Sequence, residues 1–192
     1  MAISLRKNQK IDIDFTKLTF GFGYSPNEVS NHDFNIELSA IMINSERRLI
    51  SENHFVFYNN LTSPDGALTH TGDTFLVSNG ECENDKSILV DLEKVNSQVQ
   101  EILFVVTIND FETRKQNFGQ VRNSNIRVVN NSTNEEIAKY ELREDFSIET
   151  GVELGRLCRI DGKWVFEALG IGYKADLSFF LGEYFNGLII KI

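Results

Sequence analysis

The stretch TGDTFLVSNGECENDK, residues 71–86, concentrates the oxygen ligands that a divalent cation would need. Its four carboxylates belong to Asp73, Glu81, Glu83 and Asp85. Calcium takes about six to eight oxygen ligands, and carboxylates are among the commonest of them in proteins. Apolar residues 75–77 interrupt the stretch, however, and the ammonium of Lys86 at its end could form a salt bridge in place of a bound cation. Two interpretations stay open: a cation site and a solvated acidic loop.

Other residue types in the chain lack the spacing of a catalytic or cofactor site. His32, His54 and His70 have neither HExxH spacing nor cysteine partners, so zinc is not expected, and His54 and His70 are predicted to be structural hydrogen-bonding residues. There is no GxSxG motif for a serine nucleophile. Gly21-Phe-Gly23 lacks the third glycine and the following helix of a dinucleotide-binding loop. The sequence predicts no catalytic residue and no cofactor-binding residue, and hence no enzyme.

Composition and charge narrow the range of partners. With 192 residues and a net charge of −9, the chain lacks the clustered lysines and arginines that bind nucleic acid, so no nucleic-acid partner is expected. The N-terminal residues lack the apolar core of a signal peptide, and no run is long enough to span a membrane. We therefore expect a cytoplasmic protein. In that compartment Cys82 and Cys158 are expected to stay unbonded.

Alternation of apolar and polar residues dominates the chain and predicts strands with one buried face. The alternating apolar sets are Ile11, Ile13 and Phe15; Leu18, Phe20, Phe22 and Tyr24; and Phe34, Ile36, Leu38 and Ala40. Residues 102–108 are apolar on both faces and predict a central strand. Asp161-Gly162 predicts a type I′ hairpin turn. A helix is predicted over 176–186, packed at one edge, with a shorter helical turn over 92–99. These elements predict an all-β fold, a β-sandwich of two twisted sheets with one or two short helices.

Two distinctive stretches carry a resemblance to a known family. FVFYNNLTSPDGALTHTGD at 55–73 and QNFGQVRN at 116–123 resemble the TerD family of tellurium-resistance and stress-response proteins, and the similarity extends over 1–192 as a single domain. The resemblance implies a calcium-binding β-sandwich without enzymatic activity. It also implies other tellurium-resistance proteins as partners, in assemblies at the inner membrane surface. The 116–123 stretch is interpreted as a buried polar loop that fixes strand geometry, with a binding role as the alternative.

The resemblance also implies which residues would bind calcium. The family's strand motif of Asp-Leu-Asp form falls on Asn35-Ile36-Glu37, and its loop motif opens here as Gly72-Asp73-Thr74. Residues i and i+2 of a strand share a face, so Asn35 and Glu37 could converge on one ion. Asn35 replaces a carboxylate by an amide, and Lys86 falls where the family's final acidic trio is expected. The metal-site candidates are therefore Asn35, Glu37, Asp73, Glu81, Glu83 and Asp85, with calcium weakened or lost.

Two functions follow as alternatives. The first is a non-enzymatic binding or scaffold protein of a bacterial tellurium-resistance and stress-response system, modulated by calcium and peripheral at the inner membrane surface. The second is a calcium-independent paralogue that serves the same system as a constitutive protein–protein interaction subunit. Asn35, Lys86 and the apolar insertion at 75–77 favour the second.

Overall fold

Two six-stranded sheets packed face to face form the protein. The computed structural model describes residues 2–26, 34–72, 84–142 and 146–185, without the side chains of residues 26, 84 and 85. The strands are β1 Ile3–Leu5, β2 Lys10–Ile13, β3 Lys17–Pro26, β4 Ile36–Asn44, β5 Phe55–Val56, β6 Leu68–His70, β7 Asn84–Asp91, β8 Val99–Ile108, β9 Val121–Asn130, β10 Glu135–Glu141, β11 Gly151–Ile160 and β12 Lys163–Tyr173. The α-helices are α1 Phe111–Arg114 and α2 Leu177–Tyr184, and 3₁₀ turns cover Glu52–His54 and Phe118–Gln120.

The strand order confirms the predicted all-β sandwich. The first sheet has the order β1-β10-β9-β3-β7-β6, and the second has the order β2-β12-β11-β8-β4-β5. Neighbouring strands are antiparallel except for the parallel pair of β1 with β10. The central strand predicted at residues 102–108 is confirmed. Strand β8 lies inside its sheet, between β11 and β4, and Ile102–Ile108 is buried along its whole length.

The core lies between the two sheets and is filled by the alternating residues that the sequence singled out. Phe20 of β3 stacks on Phe104 of β8, with ring centroids 3.8 Å apart and an interplanar angle of 6°. Ile36 and Leu38 of β4 are fully buried in the same cluster. Because each of these strands turns its other set of side chains away from the core, β4 presents Glu37 and Ser39 on the outer face of the second sheet.

A second apolar cluster covers that outer face and corrects the predicted position of the helix. Helix α2 begins after Asp176, whose side chain accepts a hydrogen bond from the Phe179 N–H. Phe180 and Tyr184 of α2 pack with Ile41 of β4 and other residues of the second sheet. The helix therefore lies across the face of the sheet, and the prediction that it packs at an edge was wrong. A fully apolar central strand needs cover on both faces, and α2 provides the second cover.

Two local predictions had opposite outcomes. The Asp161-Gly162 hairpin is confirmed, since both residues have positive φ, 49° and 78°, and join β11 to β12. The helical turn predicted over 92–99 is wrong, because this segment forms consecutive hydrogen-bonded turns in place of a helix. One turn is closed by the Lys94 N–H and the Asp91 carbonyl at 3.1 Å, and another by the Val99 N–H and the Asn96 carbonyl at 3.0 Å. Side-chain caps at Asp91 and Asn96 compete with helical hydrogen bonding there.

The N-terminal segment contributes to both sheets. Ile3–Leu5 pairs with Ala138–Tyr140 of the first sheet, and Lys10–Ile13 pairs with Trp164–Glu167 of the second. Between them Asn8 adopts a left-handed conformation with φ 63°, and its N–H donates to the Ala168 carbonyl at 2.7 Å. Residues 3–13 therefore join one edge of the first sheet to one edge of the second.

Hydrogen bonds hold the first half of the QNFGQVRN stretch, but the prediction of a buried loop is wrong in part. Gly119, Arg122 and Asn123 are exposed, and residues 121–123 already belong to β9. The Asn117 N–H donates to the Gln120 side chain at 3.1 Å, and the two residues form a reciprocal capping box. Gly119 lies against the Phe146 backbone so closely that an added Cβ would fall 2.1 Å from the Phe146 carbonyl oxygen. The absence of a side chain at position 119 therefore allows two backbone segments to meet.

Candidate cation site

Asn35 and Glu37 lie at the beginning of β4, where the sandwich ends. Asn35 is exposed and its carbonyl accepts a 2.8 Å hydrogen bond from the Asn109 N–H, which extends the β4–β8 pairing by one step. Glu37 is half-buried and lies directly opposite Thr107 of β8. Period-2 alternation places Asn35 and Glu37 on the same side of the strand. The structure therefore brings together two of the six predicted ligand residues.

Two buried hydroxyls extend this polar surface inward along the sheet. Ser39 follows Glu37 on the same face of β4, and Thr107 is the cross-strand neighbour of Glu37. Both residues are fully buried, and within the described part of the chain neither the Ser39 Oγ nor the Thr107 Oγ1 has a hydrogen-bond partner. An unsatisfied buried hydroxyl costs about 1–3 kcal/mol. Of these groups, the Glu37 carboxylate and the Asn35 amide carry oxygens of the kinds that calcium binds.

The histidine His70 attaches the acidic stretch to this strand. Its ring is buried between the sheets, and the Nε2 lies 3.1 Å from the carbonyl oxygen of Leu38. The Gly72 N–H donates to the Nδ1 at 2.9 Å. Since Nδ1 accepts a hydrogen bond, the proton of the neutral ring belongs on Nε2, which then donates to Leu38. These two hydrogen bonds hold Gly72, near the start of the acidic stretch, close to β4 through the His70 ring.

The remaining predicted ligands cannot be placed with these two. Asp73, Glu81 and Glu83 lie outside the described residues. Asp85 is placed by its backbone alone, in β7 opposite Gly23 of β3. Within the described part of the chain no three His, Cys, Asp or Glu residues come together as a metal-binding group. Asn35 and Glu37 therefore lie together at the start of β4, and calcium binding by either half of the predicted site stays a prediction.

Lys86 follows on β7 and has its side chain on the inner side of the first sheet. It pairs with Phe22 of β3 and is half-buried. Ile88 and Val90, at alternate positions of the same strand, lie in the core between the sheets, and this fixes the orientation of Lys86. The Lys86 side chain is thus directed between the two sheets, whereas Glu37 lies on the outer face of the second sheet.

Sequence reasoning missed Thr107, although a signal was present. It is the one hydroxyl residue in the apolar run ILFVVTI, at 102–108, and a polar residue in a doubly buried strand needs a partner.

The predicted structural roles of two histidines are confirmed. His54 Nδ1 lies 2.8 Å from the Ser51 hydroxyl, and burial lowers the pKa of His54 although the nearby Asp65 raises it. His70 makes the contacts described above.

A charged network on the outer face of the second sheet was also not foreseen. Arg156 of β11 contacts Glu167 at 2.8 Å and Glu101 at 3.3 Å. Arg47, from the turn after β4, adds a second contact to Glu101 at 3.3 Å. Cys158 stands beside this network as a free thiol, as expected, while Cys82 lies outside the described residues. These groups pair with one another, so the network has a structural role.

A carboxylate and two tyrosines connect α2 to the sheet. The Glu153 Oε1 accepts hydrogen bonds from the Tyr173 hydroxyl at 3.2 Å and from the Tyr184 hydroxyl at 3.4 Å. Burial raises the pKa of Glu153, and the two hydroxyl donors offset part of this increase. Burial and the neighbouring Glu153 charge in turn raise the pKa of Tyr173 to about 12. All three groups are thus used in holding α2 on the sheet.

These features define a class: a β-sandwich of two six-stranded sheets with a candidate cation site at one end. Comparison with known proteins identifies the family. A model of the TerD domain matches residues 1–184, and the chain belongs to the TerD family. Over 190 residues it is 41% identical to General stress protein 16U of Bacillus subtilis, which covers 96% of this chain and 97% of that protein.

Further relatives agree. The chain is 38% identical over 190 residues to the Tellurium resistance protein TerD of Serratia marcescens, again with 96% of this chain and 97% of that protein covered. A solved structure described as a homologue of telluride resistance protein TerD, from Streptomyces coelicolor, has a TM-score of 0.65. At 14% identity, covering 87% of this chain and 95% of that one, it supports the fold alone. In the described part of the chain no helix has the length and apolarity of a membrane span.

Proposed function

We propose that this protein is a non-enzymatic binding or scaffold protein of a bacterial tellurium-resistance and stress-response system, and that calcium modulates its binding. The observation that carries the proposal is the oxygen-lined face of β4, where Asn35 and Glu37 adjoin the unsatisfied hydroxyls of Ser39 and Thr107. Its relatives include proteins named for tellurium resistance and for general stress. Other tellurium-resistance proteins are its proposed partners, in the cytoplasm and in assemblies peripheral to the inner membrane.

The residues of this chain would divide the work of holding calcium. Glu37 contributes a charge, and Asn35 contributes an amide oxygen at the exposed end of the strand. Asp73 would follow directly from Gly72, which His70 holds near β4, and Glu81, Glu83 and Asp85 would complete the acidic set. Bound calcium would neutralise part of the chain's net charge of −9 at this end. That change would make the surface more favourable for an anionic partner or lipid headgroup.

A calcium-independent subunit is the second candidate, and the charges of Lys86 and Asn35 favour it. Lys86 adds a positive charge at the end of the 71–86 stretch, and Asn35 supplies no negative charge. Each change weakens the attraction for a divalent ion. Losing one negative charge removes part of the electrostatic attraction for calcium. If the binding free energy loses a tenth to a quarter of that charge's gross attraction, the calcium affinity falls about four- to thirtyfold. We therefore expect calcium to bind more weakly here than in relatives with the complete acidic motif.

Thermal unfolding with calcium or with a chelator tests the proposal, together with titration calorimetry. Calcium should raise the unfolding midpoint of the wild-type protein, because a ligand selective for the native state stabilises it. Glu37→Gln and Asp73→Ala should each reduce that increase. Glu93→Gln, at an exposed position in the turn after β7, removes a charge as well and serves as the control.

Three outcomes separate the alternatives. No shift in midpoint and no heat of binding would identify the calcium-independent subunit. Sub-micromolar affinity would contradict the weakened site. Binding that survives Glu37→Gln and Asp73→Ala unchanged would show that calcium binds elsewhere on the protein.

A further inference from the structure

A groove of about 690 Å³ runs beside α2 and uses none of the candidate calcium ligands. Three elements form its walls: the turn at Phe57–Asn60, the short helix α1 with Asp110 before it, and the first half of α2. The volume falls in the range of about 300–1,000 Å³ typical of binding clefts in proteins. The groove is therefore large enough to enclose one or two side chains of a partner.

The floor of the groove is apolar and is displayed on a fixed turn. Phe57, Phe111, Leu177 and Leu181 line it and remain only half-buried. Tyr58 stands at its rim with 49% of its surface exposed. The turn that carries Tyr58 is closed at both ends, because Phe57 and Asn60 exchange backbone hydrogen bonds of 3.0 Å.

A side-chain contact stabilises the turn further. The Asn60 Nδ2 donates to the Phe55 carbonyl at 2.7 Å, and the Phe57 ring packs against that of Tyr58 with centroids 5.2 Å apart. An exposed aromatic residue held in one conformation loses little entropy when it binds, and tyrosine is enriched among the residues that contribute most to interfaces.

The rim of the groove is acidic and is not neutralised from within. Asp110, Glu112 and Asp176 line it, and all three are exposed. In the described part of the chain none of them forms an ion pair, and no lysine or arginine lines the groove. One oxygen of Asp176 already caps α2, but Asp110 and Glu112 have no such role. Their charges therefore remain available to a cationic partner.

We propose that this groove binds a segment of a partner protein in which an apolar side chain is flanked by lysine or arginine. The apolar side chain enters between Phe57 and Leu181, and the flanking cations reach Asp110 and Glu112. Anionic lipid and nucleic acid would be repelled by the same carboxylates. A second copy of this chain would bring a net charge of −9 to an acidic rim.

The inference rests on the binding role proposed above but requires no calcium, so the two can fail separately. Its probe is a fluorescein-labelled peptide of sequence Lys-Leu-Lys-Phe-Lys-Leu-Lys, followed by fluorescence anisotropy with a chelator present. Two matched peptides accompany it, one with glutamate for every lysine and one with serine for every leucine and phenylalanine. We expect binding of the first peptide, at least about tenfold weaker binding of each matched peptide, and weaker binding at high salt.

Variants then assign the binding to the groove. The double variant Asp110→Asn with Glu112→Gln should weaken binding about three- to tenfold and reduce its salt dependence. Asparagine tolerates the left-handed backbone at position 110, where φ is 54°, so this variant should fold. Tyr58→Ser should weaken binding by a similar factor but leave the salt dependence unchanged. The control, Glu93→Gln with Glu135→Gln, removes the same charge at exposed positions away from the groove and should have no effect.

Several results would overturn the proposal. Equal weakening by the control variant would show that the peptide responds only to net charge. Equal binding of the serine-substituted peptide would show that the apolar floor does not contribute. Self-association of the wild-type protein in sedimentation velocity, abolished by Tyr58→Ser, would assign the groove to a second copy of the chain. A thermal unfolding scan of each variant, with an unchanged midpoint, ensures that a loss of binding is not a loss of fold.

Discussion

Asp65 should contribute measurably to stability, because its carboxylate holds together the turn that precedes β6. Its Oδ1 accepts hydrogen bonds from the Ser63 hydroxyl at 2.6 Å and from the Ala67 N–H at 3.0 Å. Its Oδ2 accepts a third from the Asn96 N–H at 2.9 Å, which connects this turn to the segment before β8. Ser63 in turn accepts from the Leu68 N–H at 2.9 Å. One carboxylate therefore fixes two distant segments.

Asp65→Asn keeps the shape of this side chain but replaces one acceptor oxygen by an NH₂ group. Whichever way the amide is turned, at least one N–H or hydroxyl donor then faces another donor. Hydrogen bonds to charged groups contribute about 1.5–3 kcal/mol, and solvent near this half-buried side chain reduces that figure, so we expect a loss of about 1–2 kcal/mol. For a domain of this size the midpoint should fall by about 2–8 °C in calorimetry.

The pH dependence provides a second measurement on the same variant. Burial alone raises the pKa of Asp65, but the hydrogen bonds from Ser63, Asn96 and Ala67, together with the nearby His54, lower it below its ordinary value. A lowered folded pKa stabilises the protein above the unfolded value, about 4, and this stabilisation is lost as the pH falls through the folded pKa. The difference between wild type and Asp65→Asn should therefore be constant near neutral pH and shrink below about pH 4.

Asp161→Asn is the matched control, since it makes the same chemical change at an exposed hairpin turn where asparagine is equally suited. A loss of equal size in both variants would mean that charge alone is responsible. A difference between wild type and Asp65→Asn that persists unchanged at pH 2 would refute the assignment of the stabilisation to the ionised carboxylate.

Three further substitutions have definite expected outcomes. Gly119→Ala should destabilise the protein by more than about 2 kcal/mol in chemical denaturation, because the new Cβ would meet the Phe146 carbonyl; a neutral result would show that this loop can shift. Gly182→Ala, in α2 with open space around it, should instead stabilise the protein by about 0.5–1 kcal/mol, and a loss would indicate a contact not seen here. Glu153→Gln should stabilise the protein at pH 7–8, because the raised pKa marks an ionised form that burial disfavours. That gain should vanish as the pH falls below the folded pKa of Glu153, and a gain that grows on acidification would contradict the sign of the shift.

The sequence predicted the strands well because burial on one face imposes a period of two on the residues themselves. Leu18, Phe20 and Phe22 lie in the core as their alternation requires. The helical turn over 92–99 failed because Asp91 and Asn96 bond to the backbone locally, and such competition is weakly encoded by periodicity. Helix α2 was recognised by its apolar stripe, but nothing in that stripe states which surface of the sandwich it covers.

The candidate site was predictable only as far as it follows a single strand. Asn35 and Glu37 are two residues apart, so strand geometry alone places them together. Thr107 joins them across the β4–β8 pairing, and Glu101 meets Arg47 and Arg156 through similar long-range register. Register depends on the whole sheet, and a one-residue shift would move every one of these side chains to the opposite face.

The joining of both sheets by residues 3–13 has a consequence for synthesis on the ribosome. Strand β2 leaves the ribosome about 150 residues before its partners in β12, which begin at Trp164. At about 5–20 residues per second, the edge formed by β2 stays unpaired for roughly 8–30 s of translation. During that time its backbone donors and acceptors are open to other chains. The charged residues Lys10 and Asp12, which alternate with the apolar residues of β2, would disfavour pairing with such chains until β12 arrives.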